Sequence, residues 1–190
     1  MYNEVLNFWF VETPPRMWWT AEPAFDAAIA ARFADVHAAA ARSELYEWRR
    51  QARGRLAEII VLDQFSRNLF RDTAKAFAYD TMALVLAQEA VAGSHDRSLQ
   101  TQERAFLYMP FMHSESRVIH TQAERLFASL GPDDSYESEL RHKAVIDRFG
   151  RYPHRNAILG RESTQDELAF LAKPGSRFKA RNPSALRSGS

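Results

Sequence analysis

Apolar residues recur at the spacing of an α-helix through most of this chain, and this periodicity restricts the fold more than any other feature. The segment after Pro23 shows it best, because proline suits the first turn of a helix. The apolar side chains that follow are spaced by four, four, three and four residues: Phe25, Ile29, Phe33, Val36 and Ala40. This spacing puts them on one helical face, whereas the strict alternation typical of strands is scarce. The sequence therefore predicts an all-α protein.

Glycines and prolines predict where the helices end. Gly93 and Gly150 each follow an apolar helical pattern, as expected of residues just past a helix C-terminus. Gly131-Pro132 is expected to close another helix. Pro110 has no backbone N–H group, so it predicts a kink or an end in the helix that contains it.

Polar residues that can cap free N–H groups predict the helix starts. The candidate caps are Thr73, Ser114 or Ser116, Asp134 with Glu137, and Thr164 with Glu167. The last two pairs have the spacing of a capping box. Gly54 predicts a break before a helix over residues 55–68.

The arrangement predicted from these signals is about eight helices joined by short loops, which favour antiparallel neighbours. We therefore predict antiparallel helix pairs that form a superhelix or bundle. No interior linker is long or biased enough to divide the chain. A single helical domain over residues 1–175 and a loose polar tail over residues 176–190 are expected.

Composition excludes several classes of protein. The 25 Lys and Arg residues nearly balance the 24 Asp and Glu residues, which argues against a dedicated nucleic-acid-binding or membrane-surface protein. The absence of cysteine excludes disulfides, thiolate nucleophiles and cysteine-based metal sites. There is no long apolar run or signal-peptide pattern, so we expect a cytoplasmic protein. The oligomeric state is left open.

A polar stripe lies at the end of an otherwise apolar helical segment. Its members are Asp63, Gln64, Arg67, Asn68 and Arg71. If the helix runs through them, Asp63, Arg67 and Arg71 fall on one face at intervals of four residues. One interpretation is an ion pair with favourable charges near a helix C-terminus. The other is a carboxylate that orients arginine toward a ligand, because guanidinium binds carboxylate or phosphate with two hydrogen bonds.

A second polar cluster lies between the stop at Gly150 and the predicted cap at Thr164. It is formed by Arg151, His154, Arg155 and Asn156, and apolar residues follow it. Such a loop is expected to pack onto the body of the protein, where its arginines need carbonyls or carboxylates as partners. The candidate carboxylates are Asp63, Glu115 and Asp147. The cluster is either a structural salt-bridge network or one wall of a pocket.

The segment after Pro110 carries His113, Ser114 and Glu115. Ser114 and Glu115 can simply begin the next helix, as cap and first-turn acid. Alternatively, His113 and Glu115 form an acid–base pair, because histidine titrates near neutral pH. No cofactor or metal is expected: a metal set of His113, Glu115, His142 and His154 lacks any metal-binding spacing, and no phosphate-binding glycine loop or nucleophilic serine motif occurs.

Long segments of the chain resemble a bacterial family of unknown function, family 924. The segments are Phe8-Trp9-Phe10, LDQFSRNLFR at residues 62–71, AFAYD at 76–80, ERAFLYMPFMHSE at 103–115, and HKAVIDRFGRYPHRNAILGREST at 142–164. The resemblance covers about residues 3–172 and implies a fold like tetratricopeptide-repeat superhelices, without a known reaction. Ser66 stands where the family pattern has proline, and Ser116 where an acid is common.

Two classes of function fit these features. The first is a binding scaffold for an anionic small molecule or peptide, with Trp9 or Trp19 as a wall. Its ligand-binding residues would be Arg67, Asn68, Arg71, His113, Arg151, His154, Arg155 and Asn156.

The second class is an enzyme in which His113 or His154 is the general base and arginines stabilise negative charge. Asp63 or Glu115 would orient the histidine. A purely structural network, with binding elsewhere, is the third possibility. Both site hypotheses require Arg67 and Arg155 to converge in space.

Overall fold

A computed structural model describes residues 1–131, 134–176 and 178, and it confirms the all-α class. These residues form α-helices with short 3₁₀ and π turns, and no strand occurs among them. The α-helices are α1 (Tyr2–Asn7), α2 (Pro23–Ala41), α3 (Ala52–Ile60), α4 (Ser66–Leu69), α5 (Asp80–Ala92), α6 (Thr101–Met112), α7 (Arg117–Ala128), α8 (Asp134–Phe149) and α9 (Gln165–Leu171).

Several predicted boundaries are found where local chemistry placed them. Pro23 is the first residue of α2, and Gly93 follows α5. Gly150 follows α8 with φ +70°, a conformation that favours glycine. Thr164 and Glu167 form the predicted capping box of α9, with both reciprocal hydrogen bonds present. Gly131 ends the segment after α7 with positive φ, whereas Pro132 lies outside the described residues.

The break predicted at Gly54 is wrong, because Gly54 lies inside α3. A Cβ atom at this position would lie 2.1 Å from the carbonyl oxygen of Trp48. The glycine therefore allows α3 to approach the preceding 3₁₀ turn, Tyr46–Arg50, closely. Glycine lowers the stability of a helix, and the close contact offsets that loss.

Two other boundaries, at Thr73 and Asp134, differ from the prediction. The helix α6 ends at Met112, two residues after Pro110, and the kink that was the alternative stays a prediction. Thr73 caps no α-helix: it precedes a 3₁₀ turn, Ala74–Phe77, and its hydroxyl donates to the carbonyl of Phe70. Asp134 is already the first helical residue of α8 rather than a residue before it.

The core forms around α3, which packs against α1, α5 and α6. Its Leu56, Ile59 and Ile60 are fully buried. From α5 to α8, each helix packs against the next helix in sequence. A smaller cluster near the C-terminus is built on Val145, Ile146 and Tyr152. The resemblance to a tetratricopeptide superhelix stays a prediction, because these contacts do not define an overall superhelical path.

The boundary between domain and tail also stays a prediction. Residues 177 and 179–190, most of the expected tail, lie outside the described residues. Two residues of that expected tail contact the body. Ser176 is buried, and the ring of Phe178 stacks on His142 with centroids 3.8 Å apart.

Candidate functional site

Two arginines that are far apart in sequence meet at one carboxylate, Asp80 at the start of α5. The guanidinium of Arg67 donates to both oxygens of Asp80, at 3.0 and 3.1 Å. Arg155 donates to Oδ2 of the same carboxylate, also at 3.1 Å. Because Asp80 joins them, the polar stripe and the arginine-rich loop converge in the folded chain.

Arg155 enters this cluster from a 3₁₀ turn, Pro153–Arg155, that directs its side chain inward. Its guanidinium lies 4.5 Å from the ring centre of Phe77 and 4.7 Å from that of Tyr152. It also donates to the backbone carbonyl of His113 at 3.0 Å. The Nε atom of Arg155 is buried and has no hydrogen-bond partner, and burial lowers the pKa of this guanidinium.

A cavity of about 310 Å³ lies beside the cluster. Its polar and charged lining comes from Asp80, Thr81, His113, Ser114, Glu115 and Arg155. Its apolar lining comes from Ala74, Phe77, Ala78, Leu84, Pro110 and Leu159. Small-molecule sites combine these two kinds of surface, and this volume is at the lower end of their usual range.

His113 is held at the cavity by Asp63. The Nδ1 atom of His113 lies 2.8 Å from Oδ1 of Asp63, which is almost completely buried. Burial lowers the pKa of His113, although the charge of Asp63 acts in the opposite direction. The imidazole is therefore neutral at pH 7, and its Nδ1–H group donates to the carboxylate, a tautomer assigned from this contact. Its Nε2 atom has no hydrogen-bond partner among the described residues.

Asp63 lies in a π-helical turn, Val61–Phe65, between α3 and α4. Burial acts to raise the pKa of Asp63, but the charge of Arg67 and the hydrogen bonds from His113 and Gln64 outweigh it and hold the pKa below its usual range. The amide of Gln64 donates to Oδ2 at 2.6 Å. Arg67 donates to the backbone carbonyl of Asp63 at 2.6 Å. Such π turns occur often at functional sites.

Glu115 lines the cavity but does not hold His113. It accepts two hydrogen bonds from Arg161, at 2.7 and 2.9 Å, and one from the backbone N–H of Tyr152 at 2.6 Å. Burial would raise the pKa of Glu115, but these donors lower it. Of the two carboxylates expected to orient His113, Asp63 is the one in contact with it.

Asn68 and Arg71 lie at a different place from His113. The amide of Asn68 donates to Asp26 at 2.8 Å, and Arg71 donates to both oxygens of Asp26 at 2.6 and 2.7 Å. With Trp18 and Trp19 they line a second cavity of about 130 Å³. Arg67 lines this second cavity as well, and its guanidinium binds Asp80, which lines the first.

Three residues expected at the pocket line neither cavity. Arg151 binds Glu167 through two hydrogen bonds, at 2.6 and 2.8 Å, and the buried amide of Asn156 donates to the same carboxylate at 3.3 Å. The ring of His154 lies beside the ring of Tyr152 in the smaller core cluster. Arg155 points into the first cavity, whereas Arg151 and Asn156, on either side of its turn, point toward Glu167 of α9. The polar loop therefore does not form a single wall of one pocket.

Sequence reasoning gave no role to three residues of the site: Asp80, Tyr152 and Arg161. Asp80 ends the AFAYD segment that carried the family resemblance, which was a usable signal. Arg161 belongs to the arginine-rich stretch and could have been included on composition. Nothing in the local sequence indicates that the phenol of Tyr152 donates to the backbone carbonyl of Met112.

Within residues 1–131, 134–176 and 178, no group of three or more histidine and acidic side chains is arranged to hold a metal ion. In the same part of the chain, every helix is too short or too polar to cross a lipid bilayer.

Comparisons with known proteins agree with the resemblance found in the sequence. Residues 5–175 match the family model described as bacterial protein of unknown function, DUF924. A solved structure of a protein of unknown function from Agrobacterium tumefaciens is 38% identical, with a TM-score of 0.86. That similarity covers 90% of this chain and 96% of the other. No curated protein matches the chain.

Proposed function

Because the chain belongs to DUF924, a family of bacterial proteins without an assigned reaction, its chemistry has to be inferred from the site, and we propose that it is an enzyme in which His113 is the general base. The substrate is a small molecule bound in the 310 Å³ cavity. The observation that carries this proposal is the 2.8 Å contact between Nδ1 of His113 and Asp63 in a histidine that lines the cavity.

The contact with Asp63 supports base chemistry at the other ring nitrogen. Since Nδ1 carries the proton that the carboxylate accepts, Nε2 carries a lone pair that can take a proton from a substrate or a water molecule. Asp63 then stabilises the imidazolium that forms, as a buried carboxylate does in other histidine-based sites. The lowered pKa of His113 keeps the base form populated at neutral pH.

The neighbouring arginine supports charge stabilisation during the reaction. Arg155 lines the same cavity and is positively charged, so negative charge that develops on a substrate oxygen there would be favoured. Its position is defined by Asp80 and by the carbonyl of His113, which is the preorganisation that electrostatic catalysis needs.

A second candidate function is binding without chemistry, the scaffold expected from the arginines. The unpartnered Nε atom of Arg155 and the lowered pKa of its guanidinium favour it, because both indicate a buried cation with incomplete compensation. In that function His113 acts only as a hydrogen-bonding group. The anionic ligand of this scaffold would have to compete with carboxylates that already pair with the arginines.

The experiment that separates the two functions compares wild type with His113→Asn. The asparagine amide keeps an N–H donor for Asp63 but has no nitrogen lone pair at the position of Nε2. We would incubate each protein with a bacterial metabolite extract and follow consumed molecules by mass spectrometry. Loss of a general base lowers turnover by about 10²–10⁴-fold. We expect that loss with retained binding of the same molecule.

His113→Gln is a second variant that lacks the base. Its longer side chain places an amide near the position of Nε2, so the two variants together show whether the loss depends on which part of the ring is replaced. Turnover that survives in both variants would exclude His113 as the base. A molecule that binds wild type and is never consumed would favour the binding scaffold.

A further inference from the structure

The charged groups at the cavity are all engaged with one another. Asp80 and Glu115 are two of the three charged side chains that line it, and Arg155 is the third. Behind this lining, Arg67 binds Asp63 and Asp80, and Arg161 binds Glu115.

Charge balance follows from these pairs. The cluster contains three carboxylates, Asp63, Asp80 and Glu115, and three guanidiniums, Arg67, Arg155 and Arg161. His113 is neutral, because burial lowers its pKa. An anionic ligand would meet two lining carboxylates against one lining guanidinium. It would lose hydration without gaining an unpaired cation, which is costly in a site of this kind.

Apart from the Nε atom of Arg155, which is buried below the cavity surface, the hydrogen-bonding groups of the cavity without a partner are uncharged. They are the hydroxyls of Thr81 and Ser114 and the Nε2 atom of His113, none of which has a side-chain hydrogen bond to another described residue. Hydroxyls can both donate and accept, and Nε2 of the neutral tautomer accepts. These three groups match a ligand that carries hydroxyl, carbonyl or amide groups and no net charge.

The remaining surface favours a compact apolar frame. Phe77, Leu84, Pro110 and Leu159 lie around the polar groups in a volume of about 310 Å³. On the basis of the proposed function, we propose that the substrate is an uncharged polar small molecule rather than an anion, recognised by Ser114, Thr81 and His113. The arginines then act on charge that develops during the reaction and not on a charge already present in the substrate.

The test uses matched sets of small acids with their amides and methyl esters, together with the corresponding amines. Aromatic and branched aliphatic frames of metabolite size fit the volume; benzoate, benzamide, methyl benzoate and benzylamine form one such set. Binding to the wild-type protein is measured by ligand-observed NMR and by thermal shift. We expect the uncharged members to bind about tenfold more tightly than the carboxylates, a difference in affinity that corresponds to one poorly compensated charge.

A charge-changing variant makes the expectation sharper. Asp80→Asn keeps the shape of the side chain and leaves Arg67 and Arg155 with one carboxylate fewer, so its preference is expected to move toward the carboxylate by about tenfold. Glu115→Gln is a second variant with the same prediction through Arg161, in case Asp80→Asn fails to fold. Asp26→Asn is the control, because Asp26 binds Arg71 and Asn68 outside this cavity.

The outcomes separate this inference from the proposed function. Tighter binding of carboxylates or amines by wild type overturns the inference and leaves His113 testable as a base. An unchanged preference in both Asp80→Asn and Glu115→Gln overturns it too, as does an absence of binding by every set. Turnover that survives in both His113 variants contradicts the base while leaving the preference for uncharged ligands standing.

Discussion

Each carboxylate of the candidate site accepts hydrogen bonds from more than one donor. Asp63 is held by His113, Gln64 and Arg67, and Asp80 by two guanidiniums. Removing one partner from such a buried set leaves the other charges without compensation, and that cost exceeds what the intact pair contributes. Single substitutions here should therefore affect stability as well as activity.

Asp63→Asn is expected to lower the free energy of unfolding by about 3 kcal/mol. Arg67 keeps only Asp80, and the amide has one acceptor oxygen where the carboxylate had two, so its N–H group faces a donor of either His113 or Gln64. Denaturant unfolding at pH 7 measures the change. Asp147→Asn is the control, since its pair with Lys143 is a partly exposed contact one helical turn apart, worth less than about 1 kcal/mol. Equal effects of the two substitutions would show that the buried network does not stabilise the fold.

At the scale of elements, the helices are defined by local signals and joined by close contacts that those signals do not show. The contact between α3 and the turn at Trp48 is the clearest example. Gly54 predicts a helix break in the sequence, yet it lies inside α3. The position requires glycine because a side chain there would collide with backbone atoms of Trp48. The absence of the side chain is what allows the two elements to approach.

Gly54→Ala is expected to destabilise the protein by about 2 kcal/mol or more, since overpacking against a rigid backbone outweighs the gain in helix propensity. Gly93→Ala is the comparison, because its added Cβ meets the far end of the His95 side chain, which can move. Thermal unfolding of both variants measures the difference. A Gly54→Ala protein as stable as wild type would contradict the close approach.

At the scale of the whole molecule, burial keeps His37 and His142 neutral outside the candidate site, as it does His113 within it. His142 packs between Tyr152 and Phe178 in the smaller core cluster, and burial lowers its pKa to about 3. His37 forms a hydrogen bond with the hydroxyl of Ser66, the first residue of α4, and burial lowers the pKa of His37 to about 4. In the unfolded chain both would titrate near 6.5. Between these values the unfolded state binds more protons than the folded state.

Stability should therefore fall as the pH falls from about 6.5 toward 4, with a slope of about 1.4 kcal/mol per pH unit for each histidine that stays neutral in the fold. Urea unfolding at pH 7, 6 and 5 measures it. Replacing both histidines, as His37→Gln with His142→Gln, should make this dependence shallower, and His113, whose pKa burial also lowers, should account for part of what remains. A dependence unchanged by the double replacement would assign acid sensitivity to other groups.

Much of the architecture could be predicted because its causes are local. The periodicity after Pro23 and the capping box at Thr164 depend on residues within one or two helical turns of each other. The Asp63–Arg67 pair is of the same kind, and it was predicted from an interval of four residues. Gly54 was misread, because its outcome depends on the packing of α3 against the turn at Trp48.

The sequence by itself determined an all-α chain, most of its helix ends and the two polar segments that needed partners. Only the tertiary structure decided that Asp80 joins Arg67 to Arg155, that His113 takes Asp63 instead of Glu115, and that Arg151 and Asn156 turn away toward Glu167. The physical reason is range: a helix is specified by neighbours a few residues apart, whereas a buried cation pairs with whichever carboxylate the packing of distant helices brings to it.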